Sequence, residues 1–324
     1  MNNKVGILWG GGLGDLLVIR PFLRALHADP LVQSYLFTTA AHATELFEAF
    51  CSPTRVIQLP RQYSRLLPMI KKWRHVFDLI YLGPYPTLKT RLLGYLLSPG
   101  KLWSKAHKNI PPYILDQIIA DITALGLSTE TNDKNPSVLL PWPAIHQNNP
   151  FPEGSPFLVI HPGAKKKWTT TRWPVERWKT LMVILLTETA FSLCILGVKD
   201  EAAGLNQLIA ALPEKFKSRV KLCVAQPLQD VAALILGSGG VICHNSGILH
   251  LSTLLQKKTL CITGSSGVYW QPHDPWVRNL TSGSCTFACN CYKCPVPFFR
   301  AKCINGIKTD TVWREALNHF NFGK

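Results

Sequence analysis

Acidic residues are scarce in this chain: Asp and Glu number 19 against 35 Lys and Arg, a formal net charge of +16 over 324 residues. An excess of that size faces phosphate, an anionic membrane surface or an acidic substrate. A concentrated basic stripe and a nucleic-acid reader motif are both missing, because the cations are shared between the halves, 15 in residues 1–150 and 20 in 151–324. Nucleic acid is therefore not an expected partner. Low-complexity runs and internal repeats are absent, and hydrophobic residues make up 47%, so the chain is globular. No stretch of about 20 apolar residues is present to span a bilayer. Lys4 precedes an apolar run, but Gly10 to Gly12 and Asp15 interrupt it and no small-residue cleavage site follows, so it does not read as a secretory signal. A cytoplasmic protein is expected, resting on the inner face of the cytoplasmic membrane through its basic surface.

Hydrophobic patterning predicts an α/β protein of two Rossmann-like domains, 1–150 and 151–324, facing each other across a cleft. Val5 to Trp9 reads as a buried parallel strand, followed by a glycine loop and a helix over Asp15 to Leu26. Tyr35 to Thr38, Arg55 to Leu59 and Phe77 to Leu82 read as further strands, and Ala43 to Phe50 as a helix. A Pro- and Asn-rich stretch, Thr131 to Ser155, reads as the linker. Beyond it, strands are expected at Phe157 to Ile160, Phe191 to Leu196, Val220 to Val224, Gly240 to Cys243 and Thr259 to Thr263, and a helix from Pro174.

The segment GGGLGD, Gly10 to Asp15, is not a dinucleotide fingerprint. G-x-G-x-x-G started at Gly10 requires glycine where Asp15 stands, and started at Gly12 it requires glycine where Leu17 stands. The ribose-binding acid after the second strand is missing too. An ordinary account of Asp15 is a helix cap; a functional one is a carboxylate placed at a ligand.

In the second half, HPGAKKKWTTTRWP concentrates Lys165, Lys166, Lys167 and Arg172 with threonine hydroxyls between a strand and a helix start, an anion site suited to a diphosphate. A solvated charge run is its ordinary reading, and the Walker A pattern is absent. CHNSGILHLSTLL brings Asn245, Ser246 and Gly247 to another helix start, either as a simple N-cap or as a close approach to a ligand, with His250 inside the fold.

Together GGLGDLLVIRPFLRAL, HPGA with TRWPVERW, NSGILHLSTLL and the tail CINGIKTDTVWREAL resemble the family-nine glycosyltransferases, the ADP-heptose:lipopolysaccharide heptosyltransferases. The resemblance implies a GT-B fold with the acceptor gripped by the first domain and the nucleotide sugar by the second. It implies inverting transfer of heptose from ADP-heptose, a co-substrate, to the Kdo or heptose of the inner core, with no cofactor. Asp15 is then the general base. The donor and its diphosphate fall to Gly12, Gly14, His161, Gly163, Ala164, Lys165, Lys167, Thr171, Arg172, Asn245, Ser246, Gly247 and His250. The lipid-linked saccharide acceptor, phosphorylated and acidic, falls to Arg61, Lys71, Lys72 and Arg74, and the basic stretch Lys71 to Phe77 with Lys101, Lys105 and Lys108 also suits an anionic membrane. No Asp-x-Asp metal motif is present, so cations and helix N-termini are expected to stabilise the departing ADP. Asn245 replaces the family's usual Asp, which leaves room for another nucleotide sugar; Thr171 replaces its usual Lys, which moves the cationic role to Lys165, Lys166, Lys167 or Arg172; and a silent binding scaffold is a further alternative. The last helix is expected to pack back on the first domain.

Ten cysteines are present, five of them late: Cys285, Cys289, Cys291, Cys294 and Cys303. Reduced thiols are the preferred reading; Cys289, Cys291, Cys294 and Cys303 as a metal set is the alternative.

Overall fold

The computed structural model describes residues 3–40, 43, 54–60, 65–105, 107–109, 113–127, 148–151, 154–163, 171–264, 269–282 and 302–322. The chain divides into two compact units, Met1–Trp142 and Pro143–Lys324, a boundary inside the stretch read as linker.

In the first unit β1 (Asn3–Leu8), β2 (Val32–Thr38), β3 (Arg55–Gln58), β4 (Leu79–Tyr81) and β5 (Leu102–Trp103) form one sheet in the order β3-β2-β1-β4-β5. All neighbours are parallel. β1 is central and buried on both faces, which is why VGILW reads as an unbroken apolar run. The helix expected over Asp15 to Leu26 is two helices, α1 (Leu13–Val18) and α2 (Arg20–His27). Pro21, second in α2, has no N–H to carry the hydrogen-bond ladder across Ile19, so the chain restarts there. α2 packs on α5 (Ile114–Ala124), while α3 (Leu66–Trp73) and α4 (Leu88–Leu97) cover a core of Leu8, Tyr35, Phe37, Phe77, Ile80 and Leu82. The helix expected at Ala43 to Phe50 lies outside the described residues apart from Ala43.

In the second unit β6 (Phe157–His161), β7 (Ser192–Gly197), β8 (Val220–Val224), β9 (Val241–His244), β10 (Thr259–Ile262) and β11 (Val277–Leu280) form a parallel sheet in the order β11-β10-β9-β6-β7-β8. Its helices are α6 (Val175–Glu188), α7 (Ala202–Ala210), α8 (Leu228–Gly237), α9 (Gly247–Leu254), α10 (Lys302–Asn305) and α11 (Thr309–Phe320). The packing of the last helix is defined inside the second unit. α11 packs on α6 and β10, and Val312, Ala316 and Phe320 are buried in the core of the second unit. Phe320 fills the space where Gly240 lacks a side chain, a Cβ there falling 2.4 Å from its ring.

In each sheet the strand order reverses beside one central strand, between β1 and β4 and between β6 and β9. Ligands of open parallel sheets bind at such switch points, beyond the carboxyl ends of the strands. Among the described residues no helix is long and apolar enough to cross a membrane.

Candidate active site

The loop after β1 reaches the first switch point. Asp15, third residue of α1, folds back so that its Oδ2 accepts a hydrogen bond from the Gly12 N–H at 2.6 Å. Gly11 makes room for this: its φ is 124°, and a Cβ there falls 1.9 Å from Asp15 Oδ2. Gly12 is the N-cap and Gly14 is buried in the first turn. The carboxylate therefore caps α1, as its ordinary reading has it, yet stays only half-buried at the strand ends. The loop is fixed from the other side by Trp9, whose indole N–H donates to the Asp15 carbonyl at 2.6 Å. Trp9 stacks on Tyr81, which stacks on Phe22 with ring centroids 3.8 Å apart. The Tyr81 hydroxyl donates to Asp121 Oδ2 at 2.7 Å, and His107 Nε2 lies 2.9 Å from Asp121 Oδ1. Burial first, and the Asp121 carboxylate second, push the Tyr81 phenol well above its ordinary range, so it stays protonated and donating. Sequence patterning missed this support because Tyr81, His107 and Asp121 are brought together from a strand end, a loop and a helix.

In the second unit His161 ends β6 and Ser246 is the N-cap of α9, after β9. They meet across the switch point, with Ser246 Oγ 3.2 Å from His161 Nδ1. The Ser246 hydroxyl is thus engaged with His161 and makes no side-chain cap bond to α9. Asn245 and Gly247 flank it, half-buried. His250 lies one turn further along α9, 4% exposed, edge-on to Trp270, and its Nδ1 is buried with no hydrogen-bond partner. A buried donor or acceptor without a partner is costly, and one at a helix start is suited to a polar ligand.

Thr171 is buried and Arg172 half-buried at the entry to α6. The next residue is pinned: the Trp173 amide donates to His244 Nε2 at 2.9 Å, and the Trp178 indole donates to the same nitrogen at 3.3 Å. Two N–H donors on Nε2 place the His244 proton on Nδ1, which faces the Gly163 carbonyl at 3.4 Å. Burial pushes His161 and His250 down to about 4. His244 falls to about 3, through burial first and then the neighbouring His161 and Arg172. All three are neutral near pH 7, and the influence of Arg172 on His244 brings that cation to the same strand ends. The Trp173 indole and the Arg177 guanidinium donate to the Ile307 carbonyl, so the segment between α10 and α11 braces the loop. Glu201 was not singled out by sequence patterning. Its carboxylate lies where a Gly163 Cβ would be, 2.4 Å away, and Oε2 accepts the Val198 N–H at 3.1 Å. A side chain at 163 would therefore displace the Glu201 carboxylate.

Ala164, Lys165, Lys166 and Lys167 lie outside the described residues, as do Arg61, Cys285, Cys289, Cys291 and Cys294. Cys303 is buried on α10. Among the described residues no group of three metal-ligating side chains occurs. Lys71, Lys72 and Arg74 are exposed at the end of α3. That end leads into the amino end of β4, where Asp78 bonds the Lys4 backbone, whereas Asp15 stands at the carboxyl ends. The structure does not bring these cations to Asp15.

Residues 104–296, more than half of the chain, match the sequence pattern of glycosyltransferase family 9 (heptosyltransferase). The chain belongs to glycosyltransferase family 9. Solved family structures share its GT-B fold. Escherichia coli ADP-heptose lipopolysaccharide heptosyltransferase II is 16% identical with a TM-score of 0.65, over 98% of this chain and 98% of that one. A family 9 glycosyltransferase from Veillonella parvula is 14% identical with a TM-score of 0.69, over 99% and 98%. The E. coli heptosyltransferase WaaC, solved with ADP-2-deoxy-2-fluoro heptose, is 16% identical with a TM-score of 0.64, over 97% and 99%. No curated protein matches the chain. Within family 9, the two strand-end loops just described are the parts of each unit on which the chemistry can be built.

Proposed function

We propose that the protein is an inverting, metal-independent glycosyltransferase that moves heptose from ADP-heptose to the Kdo or heptose of the lipopolysaccharide inner core, at the cytoplasmic face of the membrane. The observation that carries the donor half is the buried, unpartnered His250 Nδ1 beside the Ser246 and Gly247 helix start, with Arg172 near by. A diphosphate supplies what these groups lack: acceptor oxygens for helix amides and negative charge for the guanidinium. Glu201, beyond the second strand of its unit, stands where Rossmann-type nucleotide sites present a carboxylate to ribose hydroxyls. ADP or an ADP-sugar is the ligand of WaaC in its solved complexes.

In the transfer, Asp15 takes the proton of the acceptor hydroxyl as its oxygen attacks the anomeric carbon. The bond to the diphosphate breaks on the opposite face through an oxocarbenium-like state, so the configuration inverts. Charge developing on ADP is met by Arg172 and the α9 N-terminus, aligned beforehand by the His161 to Ser246 bond and by the His244 clamp on Trp173.

Calorimetry with ADP, GDP, UDP and NAD tests this reading. ADP is expected to bind selectively, and Arg172→Ala to weaken it by about tenfold or more, the value of a charge-assisted bond. No nucleotide binding at all would point to a scaffold instead. Asn245 favours one second reading, a different nucleotide sugar. An amide hydrogen-bonds a sugar hydroxyl without the charge of a carboxylate, and preference for another diphosphate identifies that case.

A further inference from the structure

With the exception of Leu31, the exposed large apolar side chains described in the first unit fall between Leu67 and Leu96. They centre on α4. The inner side of α4, at Leu93, Gly94 and Leu97, packs on the sheet; a Cβ on Gly94 would fall 3.0 Å from Leu82 and Leu102. At about 3.6 residues per turn its outer side reads, across the helix, Arg91, Tyr95, Leu88, Leu92, Leu96 and Lys89. Leu88 is 84% exposed, Leu92 58% and Tyr95 57%. A helix that only covers a sheet turns a polar face outward. This one turns out an apolar stripe with a cation on each edge, the pattern of a helix that lies in a lipid interface.

Its surroundings agree in charge. α3 lies beside α4 on the same face of the sheet, since Met69, Ile70 and Trp73 share a core cluster with Leu93, and it exposes Leu67, Lys71 and Lys72. Residues 65–108 contain nine Lys or Arg and one carboxylate, Asp78. A second copy of this chain would bring like charge against like; a sheet of lipid phosphates brings the opposite sign.

We infer that α4, supported by the basic end of α3, is a docking surface for an anionic phospholipid bilayer, with Leu88, Leu92, Tyr95 and Leu96 entering the headgroup boundary. α4 starts at the carboxyl end of β4, so Tyr85 and Leu88 are at the same end of the sheet as Gly10 to Asp15. Docking sets the Asp15 end of the unit beside the membrane. Resting on the proposed transfer to a lipid-linked acceptor, this is where the sugar of such an acceptor emerges.

The test is co-sedimentation of the full chain with phosphatidylcholine vesicles and with vesicles holding about 30% phosphatidylglycerol, at low and high salt, for the wild type and for Leu88→Glu/Leu92→Glu. Wild type is expected to partition about tenfold more onto the anionic vesicles, less so at high salt, and the double variant to lose about tenfold of that binding. Its ADP affinity and melting temperature are expected to be unchanged. Leu88→Glu alone, at a side chain that is almost wholly in solvent, guards against a folding defect. Three results overturn the inference: a variant that binds like wild type, wild type that binds both vesicles equally, or a wild-type dimer that the substitutions make monomeric. ADP calorimetry on the wild type reports separately on the transferase reading, which stands or falls without the vesicle result.

Discussion

At Gly11 the backbone and the proposed base constrain each other. A φ of 124° and a Cβ position inside the Asp15 carboxylate leave no room for any side chain. Gly11→Ala is therefore expected to lower stability by about 1–3 kcal/mol and to displace the carboxylate, so that melting temperature and kcat fall together. Asp15→Asn keeps the shape and removes the proton acceptor. It is expected to reduce kcat by about 10²–10⁴ while leaving ADP affinity unchanged, as calorimetry and a transfer assay will report. The buried histidines give a third expectation. Burial holds His161, His244 and His250 at pKa values of about 4, 3 and 4 in the fold, below the ordinary imidazole value of about 6.5. The unfolded chain binds more protons as pH falls from about 6.5 toward 4, so stability is full above that window and declines through it, by about 1.4 kcal/mol per pH unit for each histidine that differs. Urea unfolding at pH 7, 6 and 5 measures the slope, and His161→Asn is expected to make it shallower. At this scale Asp15, Ser246 and His250 could be singled out from motif order. His244, Tyr81 and Asp121 could not, because their roles come from pairings distant in the chain, 40 residues for Tyr81 with Asp121 and 71 for Trp173 with His244.

The strands were legible because a parallel strand buried on both faces is an unbroken apolar run, as in FLVIH of β6 and SLCILG of β7. β11, RNL after a lone valine, has no such run and is recognisable only from its pairing with β10. The break at Ile19 was marked by Pro21, yet the apolar spacing runs straight through it and hides the two helices. The place of α11 was not legible either. An amphipathic last helix fits any apolar face, and what selects one here is the pocket above Gly240 that receives Phe320. Phe320→Ala is expected to cost about 3–5 kcal/mol and, because α11 and the segment before it brace Trp173 and Arg177, to weaken ADP binding as well. Chemical denaturation and calorimetry on the same variant check both outcomes.

For the whole molecule, the net charge of +16 and the anionic acceptor of the proposed reaction predict a salt-sensitive encounter. The KM for a lipid-linked, phosphorylated acceptor is expected to rise with ionic strength between about 0.05 and 0.5 M, well beyond any change in kcat. Two units and two reversals of strand order also bear on how the chain reaches its fold. β6 pairs with β7 on one edge and with β9 on the other, and β9 begins at Val241, 80 residues after β6 ends at His161. During synthesis one apolar edge of β6 is therefore open until another half-unit of chain has left the ribosome, which at about 5–20 residues per second is several seconds. That interval is a window for edge-to-edge aggregation, and it makes soluble yield depend on growth temperature and on chaperones that shield nascent strands.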